Sequence, residues 1–182
     1  MRIIGIILSP GAEWERVRAH PPRLAPLLAT HVLPLSLLCA LAAAAGPWTG
    51  TAGVPVGPSA GAWARGGFGL FCALASVAAL TLVFHGLAGM MAPQRRGWRA
   101  ALLLAAYGST PALLATPFLA FASTGMLLPV GALHALYLYY HGARIVLGIA
   151  EDECAEFVAL SALGAGALLF LLGAAAGALA RA

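Results

Sequence analysis

Long apolar runs dominate this chain. Five of them stand between short polar stretches: Leu24 to Gly46, Phe68 to Ala92, Arg99 to Ala122, Thr124 to Gly148 and Cys154 to Ala180. About 20 helical residues cross a hydrocarbon core about 30 Å thick, and each run is long enough to do so. The runs are rich in Leu and Ala and do not alternate. Backbone in lipid must satisfy its hydrogen bonds internally, so helices are expected. Only 9% of residues are charged, against about 25% in an ordinary soluble domain. So few charges cannot cover a soluble surface of this size. The expected fold is all-α: one membrane domain, a bundle of five transmembrane helices over residues 24–182, preceded by an N-terminal segment, residues 1–23.

The arginines orient the bundle. Arg2, Arg16, Arg18 and Arg23 precede the first run, Arg95, Arg96 and Arg99 separate the second from the third, and Arg144 ends the fourth. An N-terminus in the cytoplasm puts these eight inside and leaves only Arg65 and Arg181 outside. The positive-inside rule therefore sets the N-terminus cytoplasmic and the C-terminus external. Trp48, Trp63 and Trp98 fall near span ends and Trp14 in the N-terminal segment, so none is mid-membrane, as expected of an interfacial belt. Arg2 precedes only the short stretch Ile3 to Leu8, so no cleaved secretory signal is expected. Ser9 and Pro10 form a helix start, and Trp14, Val17 and Arg18 share one face. A short amphipathic helix lying in the membrane surface is expected there. Residues 46–67, rich in Gly, Pro, Ser and Thr, are expected to form a flexible external loop.

Several functional classes lose support. All ten basic residues are arginine and occur singly or in pairs, with no basic stripe for nucleic acid. The three cysteines have no metal-site spacing, and Cys39 and Cys72 read as small packing residues. No cofactor motif, phosphate loop or nucleophile elbow is present. The acidic residues lie outside the runs or, as Glu156, in the first turn of the fifth, which weakens an ion-driven transporter.

Polar residues inside the runs are the candidates for function. His134, Tyr137, His141 and Arg144 form a stripe about 80° wide on the fourth helix, expected to face other helices. His134 and His141 lie two turns apart, roughly 10 Å, too far to chelate one metal as a pair. Gly108 and Pro111 should bend the third helix, with Ser109 and Thr110 rebonding the freed carbonyls. Gly173 and Gly177 form a small-residue packing pattern, read as contact within the bundle. Linear spacing places His31, His85, Tyr107 and His141 about 10–12 Å below the same cytoplasmic surface. Together with Arg144 they define a candidate polar pocket in the cytoplasmic half. The alternative is pairwise hydrogen bonding without a cavity.

Three stretches carry a family resemblance. L-S-P-G-A-E-W (Leu8 to Trp14), A-Y-G-S-T-P (Ala106 to Pro111) and L-Y-L-Y-Y-H-G (Leu136 to Gly142) occur in order across nearly the whole chain. In these the chain resembles the bacterial branch of the Yip-one domain family, the Ypt/Rab-interacting multi-pass membrane proteins. Ala106 stands where the family pattern has glycine. The resemblance implies a five-helix bundle without catalytic activity or cofactor, located in the bacterial inner membrane. Eukaryotic relatives bind prenylated Rab-type GTPases, but the long N-terminal region and Asp-Leu-x-Gly-Pro motif of those relatives are absent here. The expectation is a non-enzymatic protein that binds a protein or lipid partner, or a second copy of itself, and helps organise the membrane. A small transporter or channel is the alternative. An intramembrane enzyme lacks a nucleophile–base–orienter set.

Overall fold

A computed structural model describes residues 3–45, 61–95, 97–120 and 126–179. All regular structure among them is helical. Two short helices, α1 (Ile3–Leu8) and α2 (Pro10–Ala19), lead into α3 (Leu24–Ala45), α4 (Ala62–Met91), α5 (Trp98–Phe118), α6 (Leu127–Gly142) and α7 (Cys154–Leu179). Four helices are long and apolar enough to cross a membrane: α3, α4, α5 and the Cys154–Leu171 part of α7. The fourth predicted run is helical too. It forms α6, of 16 residues, continued by a five-residue π turn, Ala143–Leu147. His134, Tyr137, Tyr139, Tyr140, His141 and Arg144 dilute its apolar content below that of the other four.

Prolines shape two of the helices. Pro34 has no N–H and crowds the carbonyl four residues earlier. The turn just before it opens into a π segment, Leu28–Val32, in which the Leu33 N–H bonds to the Leu28 carbonyl. In α5 the regular helix stops at Gly108 and resumes at Thr110. Pro111 leaves the Tyr107 carbonyl without its helical donor, and the Thr110 hydroxyl donates to that carbonyl at 2.7 Å. The Ser109 hydroxyl donates to the Ala105 carbonyl at 2.6 Å. The regular helix is interrupted where a bend was expected; of the two expected side chains Thr110 rebonds the freed carbonyl, while Ser109 adds a second donor to the Ala105 carbonyl, which already accepts the Ser109 N–H. α5 then tightens into a 3-10 segment, Thr116–Ala120, at Pro117.

Two N-terminal expectations need correction. α2 does start at Pro10 after Ser9, but its apolar face is turned to protein. Trp14 and Val17 are buried, with Trp14 the largest wholly enclosed side chain, and α2 packs on α6 and its π turn. Trp14 is thus a plug at the bundle's end, enclosed by protein. Arg18 points away, half-exposed and paired with Glu15 at 2.6 Å. The predicted external loop is also shorter. Ala62 to Gly67 extend α4, and the Arg65 guanidinium donates to the Ala44 carbonyl at 3.0 Å, capping the last turn of α3. Residues 46–60 lie outside the described residues.

Bulk is concentrated at the end that carries α1 and α2. Phe84 stacks on Phe157 with ring centroids 5.5 Å apart and meets Tyr139 edge-on at 5.0 Å. Leu104, Leu138 and Leu147 are fully buried in the same core. α6 ends at Gly148, whose φ of 71° lies in the left-handed region that favours glycine. Its Ile149 N–H returns to the Ala143 carbonyl at 3.3 Å, and the chain turns into α7. Towards the other end the facing residues become small: Gly69, Ala73, Ala112 and Ala132.

Candidate functional site

The five residues of the predicted polar pocket do not gather in one place. Two of them meet. His31, on the π segment of α3, lies edge-on to Tyr107 with centroids 4.8 Å apart, and its Nε2 is 2.9 Å from the Thr110 Oγ1. The Thr110 hydroxyl hydrogen is already given to the Tyr107 carbonyl. With that hydrogen so placed, a His31 Nε2–H can donate to the Thr110 oxygen. Trp14 closes the group from α2, edge-on to Tyr107 at 6.4 Å. This is a packed, hydrogen-bonded cluster at the kink rather than a cavity.

The other three face elsewhere. His85 lies against Trp98 at the start of α5, centroids 5.5 Å apart. The His141 Nδ1–H donates to the Tyr137 carbonyl at 3.2 Å, and its ring lies 4.4 Å from that of Tyr137. Arg144 is half-exposed and paired with Glu151 at 2.9 Å. Equal depth did not produce convergence, because depth says nothing about the direction around each helix. In the stripe expected to face other helices, Tyr137 is 47% exposed on the outer side of α6 and Arg144 is exposed, while His134 and His141 are half-buried. The inward side is Gly131, Ala135, Leu138 and Gly142, all buried.

Glycines decide that choice. A Cβ on Gly142 would lie 2.4 Å from Leu104 and 2.9 Å from the Trp14 ring. One on Gly131 would lie 2.7 Å from the Pro111 carbonyl oxygen. One on Gly108 would lie 2.4 Å from the Tyr139 ring. The α5–α6 contact is therefore a close approach of backbones at the kink. The small-residue stripe on α6 was the sequence signal for it.

A cavity lies in the other half of the bundle. It has a volume of about 310 Å³, and all five long helices contribute: Cys39 from α3, Cys72 and Ser76 from α4, Ser109 and Thr116 from α5, Tyr139 from α6 and Leu169 from α7. Its polar groups are mostly bonded to the protein already. The Ser76 hydroxyl donates to the Ala73 carbonyl at 2.8 Å, Thr116 to Ala112 at 2.9 Å, and the Cys39 thiol to Leu113 at 3.4 Å. Ser109 gives its hydrogen to Ala105, so the Tyr139 hydroxyl donates to Ser109 at 2.7 Å. No charged side chain lines the space. Cys39 and Cys72, read as packing residues, stand in its wall as free thiols. Such a wall accommodates an apolar group.

Apolar helices of membrane-crossing length, packed around an apolar cavity, define an integral membrane protein of the helical-bundle class. The family model of the Yip1 domain matches residues 4–174, nearly the whole chain, and the chain belongs to that family. No curated protein and no solved structure matches it.

Proposed function

We propose that this protein is a non-catalytic, five-span protein of the bacterial inner membrane that binds a protein or lipid partner through its bundle and helps organise the membrane. The cavity carries this reading. Five helices build it, its wall is apolar, and its polar groups are largely engaged by the protein. It is suited to holding an apolar group in place. The N-terminus lies in the cytoplasm and the C-terminus outside, supported by the eight-to-two division of the arginines. α6 with its π turn supplies the fifth crossing. Nucleic acid is no partner, and a second copy of the chain is one candidate for the protein partner.

Purification in mild detergent, followed by mass spectrometry of bound protein and lipid, tests the proposal. A stoichiometric protein or lipid is the expected result. Absence of both, together with solute flux through liposomes holding the pure protein, would favour a small transporter and overturn the binding reading.

A further inference from the structure

We infer that two copies of this chain pair side by side in the membrane through the outer face of α6, the Tyr137 hydroxyl of each copy donating to the His141 Nε2 of the other. The inference rests on the binding reading above, in which a second copy is one candidate partner, and on α6 crossing the membrane. It adds the face and the contacts.

Depth makes this face unusual. α6 and its π turn run from Leu127 to Leu147, about 30 Å at 1.5 Å per residue. Tyr137 lies ten residues from either end, which puts it at the middle of the hydrocarbon. It faces outward, and its hydroxyl makes no hydrogen bond among the described residues. Tyrosine ordinarily sits at the membrane interface, where its hydroxyl meets water. Lipid tails at mid-membrane offer neither donor nor acceptor. α6 is also the least apolar of the five predicted spans. A span with polar groups on its outward side is suited to a cover of protein, not of lipid.

The face is shaped for a single helix. Val130, Leu133, Tyr137, His141 and Arg144 follow one another at spacings of three, four, four and three. They keep within a stripe about 80° wide, the width of a seam between two helices. Val130 and Leu133 are 60% and 67% exposed.

Its polar groups complement one another. The His141 Nδ1 faces the Tyr137 carbonyl, which can only accept, so Nδ1 carries the hydrogen and Nε2 of the neutral ring is an acceptor. That acceptor has no partner among the described residues and is not enclosed. The two rings lie 4.4 Å apart, so donor and acceptor stand within a helical turn of one depth. Copies inserted in one orientation, related by a two-fold axis along the membrane normal, set α6 parallel to α6. Each Tyr137 hydroxyl then meets the other copy's acceptor, and the bond forms twice. Charge does not oppose the pairing. Arg144, the one charged residue of the stripe, lies at its cytoplasmic end and is paired with Glu151 of its own chain at 2.9 Å. A partner of other sequence would have to supply a donor and an acceptor at this depth, and the chain itself already does.

Disulfide cross-linking in native membranes tests this, in the full-length chain with Cys39, Cys72 and Cys154 replaced by Ala. Leu133→Cys, on the stripe, should give a disulfide-linked dimer on mild oxidation. Leu163→Cys, exposed on α7, should not. The native chain, with all its cysteines, should also count as a dimer when labelled subunits are diluted into vesicles of phosphatidylethanolamine and phosphatidylglycerol. Tyr137→Phe keeps the ring and removes both symmetric bonds. It should raise the dimer dissociation constant about three- to ten-fold at an unchanged melting temperature. Monomers at every dilution, or cross-linking at Leu163→Cys in place of Leu133→Cys, overturn the paired face. A dissociation constant unmoved by Tyr137→Phe overturns the Tyr137–His141 contact that defines it. A monomer that purifies with a stoichiometric amount of another protein overturns the second copy alone and leaves the wider binding reading standing.

Discussion

Thr110 joins three parts of the kink. It donates to the Tyr107 carbonyl that Pro111 leaves free, and it is hydrogen-bonded to the His31 ring, so one hydroxyl ties α3 to the break in α5. Thr110→Val removes both bonds at nearly constant volume. It should cost about 1–2 kcal/mol, read as lower thermal stability in detergent, whereas Thr110→Ser should stay near the native value. Gly131 makes an independent prediction. Its missing Cβ leaves room for the backbone of Pro111, which has no rotamer to change. Gly131→Ala should cost about 1–3 kcal/mol by the same measurement. A native melting temperature in Gly131→Ala would show that α6 and α5 do not approach this closely. The kink residues themselves were legible, because the effect of proline on one named carbonyl is local chemistry. Their partners were not. His31 was chosen for its depth, and nothing in its neighbours indicates that the π turn before Pro34 rotates it towards Tyr107.

Among elements, α2 departs furthest from its sequence pattern. Its face of Pro10, Glu13, Trp14 and Val17 is buried against the bundle. The connection to α3 is held by Arg99, whose guanidinium donates to the Pro21 and Pro22 carbonyls at 2.9 and 2.7 Å. Arg99 counted in the sequence only as a topological charge. Trp14→Ala removes the plug between Tyr107 and Gly142 and should cost about 3–5 kcal/mol of local stability. Hydrogen exchange should then speed up across Pro10–Ala19 with little change in α4. Unchanged protection of α2 would mean that the lipid surface holds it, as the amphipathic pattern first suggested. That pattern was ambiguous for a physical reason: a Trp–Val face suits a membrane interface and a protein groove equally. The same ambiguity hid the direction of α6. In lipid the outer surface is as apolar as the core, so hydrophobicity does not tell inside from outside. Close packing of small residues does, and Gly131, Ala135 and Gly142 carried that information.

For the whole molecule, the apolar runs marked where the long helices lie, though α4 starts six residues before its run and α6 three residues after the start of its own. The cavity was not legible. It arises where small side chains of α3, α4, α5 and α6 face one another beside Leu169 of α7, at positions as distant in sequence as Gly69, Ala112 and Leu169. The binding reading depends on this cavity lying within the bilayer, which in turn requires α6 to cross it. Single cysteines decide this in a background where Cys39, Cys72 and Cys154 are replaced; Cys154 is fully buried and reports poorly itself. The reporters are Glu15→Cys, Ala62→Cys and Glu151→Cys, all at exposed positions, and a cysteine appended after Ala182. With an impermeant maleimide added to intact cells, Ala62→Cys and the appended cysteine should label directly, and Glu15→Cys and Glu151→Cys only after permeabilisation. Labelling of Glu15→Cys and the appended cysteine from the same side of the membrane would show an even number of crossings and contradict the five-span bundle.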